Sequence, residues 1–425
     1  MGRAMKAEMK RRVLIIVENL PVPFDRRVWA EATTLVEAGH EVSVISPMLK
    51  GYAADYEAID GVHIYRHPLS EAGNSRFGYL QEYAGALVNQ LRLAFKIRRE
   101  RGFDVIHACN PPDLIFVVAA LFRFFFGVRF IFDHHDLCPE LFEAKFGRRG
   151  IAHRLLLLLE RATFALADIS IATNESYREI AIARGGMKPD RVFVVRSGPR
   201  LDRMLVGAAE PSLKCGRKFL VGYVGVIGKQ EGLDLLVGAV AHLVRHLRRT
   251  DTHFAIIGDG PELAAVRALA VKKGVADFFT FYGRVPDDLF LSVLNTADIC
   301  VNADRCCAMN DKSTMNKVLE YMALGKPIVQ FDLTEGRRSA GGASLYARPD
   351  NVADFAMKID TLLGDPDLRR EMGVIGRERI IRQFSWAHSA PVLLRAYAKA
   401  LEPISARASR LAPATGAAAG TALRS

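Results

Sequence analysis

Hydrophobic positions along this chain fall into short, nearly continuous runs separated by stretches of helical period. "VLIIV", "EVSVIS", "DVIHA", "RFIFD", "ISIAT" and "VFVV" follow one another over the first 195 residues. Between them, apolar positions recur at helical spacing around Arg27–Ala38, after "NPPD" and through "RLLLLLERATFALA". Strands that are apolar at every position are buried on both faces, so the pattern predicts a parallel sheet covered by helices on both sides. Periodicity is lost from Pro199 to Lys218, where a linker is expected. A second series follows: "FLVGYVG", "HFAIIGDG", "FTFYG", "DICVNA" and "PIVQFD", alternating with helices that continue to about Glu402. These series predict an α/β protein of two Rossmann-like domains facing each other across a cleft: residues 1–200, a linker over 201–217, and residues 218–383. No sequence repeat relates the halves. The Ala/Gly/Ser-rich tail 403–425 is expected to be disordered.

The stretch "NDKSTMNKVLEYMALGKP" (Asn310–Pro327) sets Met315, Val318, Leu319, Met322 and Ala323 on one stripe, the core face of a helix that Gly325 and Pro327 terminate. Lys312 and Lys317 stand at its start, where cations oppose the exposed N–H groups and the helix dipole. A visiting anion would remove the conflict. One acid, Glu320, lies deeper on the polar side. In "VGYVGVIGKQEGLDLL", Gly222, Gly225 and Gly228 stand between a strand and a helix, a context that serves either a phosphate's approach to backbone N–H groups or a tight turn. The similar "AIIGDGPEL" reads as a turn. All three features belong to the carboxyl edge of the second domain, and together they point to a diphosphate.

With 425 residues, half hydrophobic and a quarter charged, the chain can bury two ordinary cores. A formal charge of +11 and a pI near 9.4 suggest an anionic partner: nucleic acid, an acidic membrane surface or phosphorylated small molecules. Nucleic acid fits worst, because the basic residues are dispersed and lack interleaved aromatics. The six cysteines form no CxxC pair and no zinc spacing, so a reduced, cytosolic chain is expected, with Cys306 and Cys307 as unpaired thiols. At the N-terminus the apolar run before Glu18 is too short for a signal peptide. The greasy region Leu114–Phe132 is broken by Arg123, Gly127 and Arg129, and reads as a buried helix and a buried strand rather than a membrane span. "KFGRRGIAHRLLLLLERATFALAD" mixes Arg148, Arg149, Arg154 and Arg161 with leucines: either a peripheral contact with an anionic membrane or a core helix with a basic outer face.

The segments "PVPFDRRVWAEATTLVEAGHEVSVISP", "NPPDLIF", "FDHHDLCPELFEAKF", "VVRSGP", "GYVGVIGKQEGLDLLVGAV", "IIGDGPEL", "FYGRVPDDLF" and "MNKVLEYMALGKPIVQFD" run in one order from about residue 11 to 400. In them the chain resembles the family 4 glycosyltransferases of GT-B architecture. It is most similar to the bacterial branch that includes N-acetylfucosamine-type transferases of O-antigen and capsule synthesis. The resemblance implies a UDP- or GDP-linked sugar donor in the C-terminal half and a saccharide or polyprenyl-linked acceptor mainly in the N-terminal half. It also implies retention of configuration, no metal or other cofactor, and a helix over 384–402 returning to the N-terminal domain. Location at the inner face of the cell membrane follows from such an acceptor.

Carried over by position, Glu320 matches the second acid of the family's Glu-x7-Glu motif, which grips the ribose; a carboxylate can accept both hydroxyls at once. His135 matches a strand-end histidine facing the transferred sugar, with His134 as the alternative, since strand alternation lets only one reach the cleft. Asp136 and Glu140 are candidates to position it or to bind acceptor, Glu140 equally a helix-start acid after Pro139. Arg284 stands where relatives hold the base. His135, Asp136 and Lys317 thus form the candidate catalytic set, and Gly225, Gly228, Lys229, Arg284, Lys312, Ser313, Asn316 and Glu320 the candidate donor-binding set.

Three positions depart from the family. Val226 and Glu231 replace an arginine and a lysine that meet the diphosphate, and Lys312 replaces the first acid of Glu-x7-Glu. Lys229, Lys317 and Lys312 are the compensation the sequence offers. In "PVPFDRRVW", Asp25 is a candidate N-cap, with Arg26 and Arg27 in the first helical turn facing either a substrate anion or solvent. The departures keep two other functions open, a catalytically weakened GT-B binding subunit and a GT-B nucleotide-sugar epimerase.

Overall fold

The computed structural model describes residues 10–69, 76–147 and 149–402, with side chains at all of these except 76–83 and 145. The tail 403–425 and Arg148 lie outside the described residues. The first sheet comprises β1 (Arg12–Ile16), β2 (Glu41–Met48), β3 (Tyr56–Ile59), β4 (Val62–Pro68), β5 (Val105–Cys109), β6 (Arg129–His134), β7 (Ile169–Ala172) and β8 (Val192–Val194), in the order β3-β4-β2-β1-β5-β6-β7-β8. The second comprises β9 (Phe219–Val224), β10 (Thr252–Ile257), β11 (Phe279–Gly283), β12 (Ile299–Asn302), β13 (Ile328–Phe331) and β14 (Ser344–Ala347), in the order β11-β10-β9-β12-β13-β14. Among the described residues only β3 and β4 pair antiparallel. Strand order reverses its direction of travel beside β1/β5 and beside β9/β12, which places a ligand crevice at the carboxyl ends of those strands.

Each face of the first sheet has its own core. One packs the helices Arg76–Glu100, Phe116–Phe126, Ile151–Leu166 and Glu175–Ala183. The other packs the helix Arg26–Glu37 together with the chain's last described helix, Trp386–Ala400. That last helix presents Leu393, Ala396, Tyr397 and Ala400 at i, i+3, i+4 and i+7, all buried against the N-terminal domain. Trp386 Nε1 donates to Thr34 Oγ1 at 2.9 Å, and Tyr397 Oη lies 2.7 Å from His107 Nδ1. Between the domains, the 201–217 segment is not featureless: Met204 is buried in the C-terminal core, and Lys214 pairs with Asp298 at 2.8 Å.

Elements among the described residues that the hydrophobic pattern did not mark include β3, β4, β14, the helix Glu175–Ala183 and the 25-residue helix Arg76–Glu100. In β4 the run "VHIYRHP" is broken by His63, Arg66 and His67, yet Arg66 is buried, donating to the Val22 carbonyl at 2.6 Å and pairing with Glu57. Two expectations need correction. The helix Phe116–Phe126 is not buried along its whole length, since Phe124, Phe125 and Phe126 face outward just before Gly127 ends it in the left-handed conformation. And Asn310–Pro327 is two helices, Ala308–Lys312 and Asn316–Ala323, so Lys312 closes one rather than opening the other.

Candidate active site

The N-terminal wall of the cleft is organised around Arg27. Asp25 caps its helix, accepting the Arg27 and Val28 N–H groups at 3.1 Å each. The Arg27 side chain then runs inward: Nη2 reaches Asp133 Oδ1 at 2.7 Å and Glu31 at 3.1 Å, and Nη1 donates to the Val195 carbonyl at 2.7 Å. Burial alone would push Asp133 up, but Arg27 and His135 hold it well below the usual carboxylate range. Glu31, buried one turn along, is pushed well above its usual range by that burial, against the pull of Arg27.

His135 follows the end of β6. Its Nε2 is hydrogen-bonded to Asp133 Oδ2 and lies 2.9 Å from Arg27 Nε, and its backbone N–H donates to Asn110 at 2.7 Å. An Nε2 proton held by Asp133 leaves Nδ1 as the ring's acceptor. His134, by contrast, is fully buried among Phe132, Phe164 and Tyr177, and burial drives its imidazole down to about 3. Of the two histidines, only His135 is partly exposed, just past the carboxyl end of β6. Asp136 is half-buried beside it, its carbonyl accepting from Asn110 at 2.7 Å.

Glu31, Cys109, Asp133 and His135 are residue types that ligate metals, and their donor atoms lie within 4.8 Å of one another. Arg27 already donates to Asp133 from within this cluster, and its Nε lies 2.9 Å from His135 Nε2. A dication there would meet a buried guanidinium, so the set does not fit a metal.

The C-terminal wall is built from backbone. Gly225 follows β9 at φ 151°, and a Cβ there would lie 3.0 Å from Tyr223 Oη and 3.5 Å from Lys317 Nζ. Gly258, after β10 at φ 139°, packs so closely that a Cβ would sit 1.8 Å from the Gly225 carbonyl oxygen. Lys317 and Tyr321, on the helix Asn316–Ala323, secure this loop from below. Tyr321 Oη accepts the Val224 N–H at 2.8 Å; Lys317 Nζ donates to Asp304 at 3.0 Å and to Tyr223 Oη at 3.4 Å. Burial would lower the Lys317 ammonium, but Asp304 and Tyr223 raise it above its usual value, so it stays charged. Glu231 accepts the Gly228 N–H at 3.1 Å, and its burial pushes its carboxyl up.

Glu320 lies one helical turn beyond Lys317 on the wall of a solvent-open crevice that Arg26, Arg27, Ser197, Arg200 and Asn316 also line. Burial raises its carboxyl, opposed by Arg26, which reaches across from the N-terminal domain to Glu320 at 3.2 Å and to Asp287 at 2.8 Å. Lys229 is exposed on the glycine loop. Arg284 is exposed and sits 5.5 Å above the Phe24 ring, on which Lys50 also rests.

Lys312 and Ser313 are not beside the glycine loop but in the contact between the domains. Lys312 faces Glu140 at 3.8 Å, its carbonyl accepts from Asn174 at 2.8 Å, and Ser313 Oγ lies 3.1 Å from Tyr177 Oη. Glu140 is bound by Arg184 at 2.6 Å, a structural role in keeping with its place behind Pro139 at a helix start. The conflict of cations at helix starts therefore has an internal answer. Arg26, Arg27 and Lys317, in first helical turns, face carboxylates of the protein itself, as does Lys312 at the end of its helix. Asp133, Asp304, Glu31 and Tyr321 were the residues the sequence did not single out; Asp133 and Asp304 had one signal, an acid at or just past the carboxyl end of a strand.

Two parallel-sheet domains with facing carboxyl edges and a glycine loop over a lysine define the GT-B glycosyltransferase architecture. Residues 25–203 match the model described as Glycosyltransferase Family 4 and residues 218–365 that described as Glycosyl transferases group 1, and the chain is a glycosyltransferase of these families. It is 29% identical over 300 residues to alpha-maltose-1-phosphate synthase of Mycolicibacterium smegmatis, covering 64% of this chain and 74% of that protein. It is 28% identical over 351 residues to 2-deoxystreptamine glucosyltransferase of Streptomyces kanamyceticus, covering 80% and 89%. Among solved structures, sucrose-phosphate synthase of Thermosynechococcus elongatus superposes with a TM-score of 0.75 at 18% identity over 92% of this chain and 99% of that one. Anabaena HepE in complex with UDP-glucose superposes at 0.68 and 14% identity over 91% and 99%.

Proposed function

We propose that this glycosyltransferase is a retaining, metal-independent enzyme that moves a sugar from a UDP- or GDP-linked donor to a lipid-linked saccharide in cell-surface polysaccharide synthesis, as in the N-acetylfucosamine-type branch it resembles. The observation that carries the donor assignment is Lys317: a buried, charged ammonium held beneath the Gly225 loop, at the carboxyl edge of β9 and beside β12. It stands where the diphosphate would lie, and it takes the place of the cations lost at Val226 and Glu231. A fold neighbour bound to UDP-glucose supports the same donor class.

In the transfer, the bond from the sugar's anomeric carbon to the diphosphate breaks and one to the acceptor oxygen forms. Negative charge grows on the departing diphosphate, so Lys317 and the loop N–H groups stabilise the transition state more than the ground state. The acceptor's proton passes to a departing phosphate oxygen. Glu320 accepts the ribose hydroxyls once Arg26 yields it, and His135, oriented by Asp133, accepts a hydrogen bond from a hydroxyl of the transferred sugar at Nδ1. Lys229, Asn316 and Arg284 complete the donor surface.

Radiolabelled UDP- and GDP-sugars, incubated with the protein, chelator and membrane extract, test this. Label should move into a lipid-extractable product with the anomeric configuration kept. One observation favours the second reading, a binding subunit without transfer: the Glu231 carboxylate holds the Gly228 N–H, putting negative charge where relatives have a cation. Nucleotide binding without transfer from any donor would select it.

A further inference from the structure

The helices Arg76–Glu100, Phe116–Phe126 and Ile151–Leu166 lie side by side on one face of the first sheet and share one core. Their outward sides are not the polar surface such helices normally carry. Phe124 is 83% exposed, Phe125 68%, Ile151 87% and Leu158 65%, with Phe126 and Leu155 also exposed. Two of the helices meet through their rings, with Phe95 4.9 Å from the buried Phe122, Phe122 5.5 Å from Phe126, and Arg98 5.1 Å from the Phe126 ring, and the helix Phe116–Phe126 packs in turn on Ile151–Leu166. Exposed phenylalanines gathered in this way need a cover.

The charges in the patch choose the cover. Arg92 and Lys96 stand exposed beside Phe95, and Arg154 and Arg161 share the outward stripe of Ile151, Leu155 and Leu158. Pairing this face with a second copy would set arginines against arginines. An anionic bilayer suits both parts, taking the rings and leucines at the acyl boundary and the cations among its head groups. We propose that this three-helix face docks the protein on an anionic lipid membrane. The helix Cys138–Phe146, which starts three residues after His135 and packs on Ile151–Leu166, ends on the exposed Phe146, so docking brings a lipid-borne acceptor toward the cleft. Only that last point rests on the acceptor proposed above.

The test is co-sedimentation of the full chain with vesicles of phosphatidylglycerol and phosphatidylcholine, or of phosphatidylcholine alone. Binding should need the anionic lipid. It should weaken at least tenfold in Phe124→Ser/Phe125→Ser, and about fivefold for each of Arg92→Gln and Arg154→Gln. Because these side chains are exposed, unfolding temperature and nucleotide binding should not change. No binding to anionic vesicles, or equal binding by the phenylalanine variant, overturns the proposal. So does a dimer in solution that the same variant dissolves. Vesicle binding together with no response to any nucleotide would overturn the donor assignment and leave the docking face standing.

Discussion

The two walls of the cleft are made by different means. On the N-terminal side, one buried arginine ties together two acids, a histidine and a loop carbonyl, so the wall is a side-chain network. On the C-terminal side, glycines pack backbone on backbone and a single ion pair, Lys317–Asp304, lies beneath them. The first holds its charges in mutual compensation. The second keeps its cation next to a loop open to solvent. This contrast fits a wall that must hold a fixed ring in place opposite a wall that must receive a charged ligand.

The largest effect should come from cutting the network. Arg27→Met strands Asp133 as a buried charge and should cost about 3–5 kcal/mol in urea unfolding. Lys317→Met strands Asp304 in the same way, with a smaller loss of about 2–3 kcal/mol because the site is near the loop, and it should also abolish the response to nucleotides. If Lys317→Met keeps full nucleotide affinity, the two walls do not differ as described.

A pH titration separates the walls differently. In the N-terminal domain, burial raises Asp113 to about 6 and Glu160 to about 7, from 3.8 and 4.5. The folded state then binds more protons than the unfolded state between about pH 4 and 7, so these acids cost stability progressively as pH rises through that window. Glu160→Gln should flatten the fall by roughly 3 kcal/mol. A slope unchanged in that variant would place the titration elsewhere. The smallest effect belongs to Lys312→Ala, whose partly exposed contact with Glu140 should be worth under about 1 kcal/mol and leave nucleotide binding intact.

Much of this was legible in the sequence. Apolar runs marked most of the parallel strands, and the broken periodicity after Pro199 marked the crossing between domains. Lys317 was visible as a cation that needed an anion. What the pattern could not show was where the anions are, because partners meet across long stretches of chain. Lys317 and Asp304 are 13 residues apart, Arg27 and Asp133 106, and Arg26 and Glu320 294. β4 was missed for a related reason, since Arg66 looks exposed until its buried acceptors are known. Lys312 and Lys317, five positions apart, were read alike; the helix break between them sends one to the domain contact and the other beneath the glycine loop.

The central claim is that the C-terminal wall takes a nucleotide diphosphate. A thermal-shift panel of UDP, GDP, ADP and their sugars tests it most directly. One nucleotide and its sugar should raise the unfolding temperature, since a ligand at 100 times its Kd adds roughly 2.7 kcal/mol. The rise should vanish in Glu320→Ala while that variant remains folded. No shift with any member of the panel, or an undiminished shift in Glu320→Ala, would contradict the account.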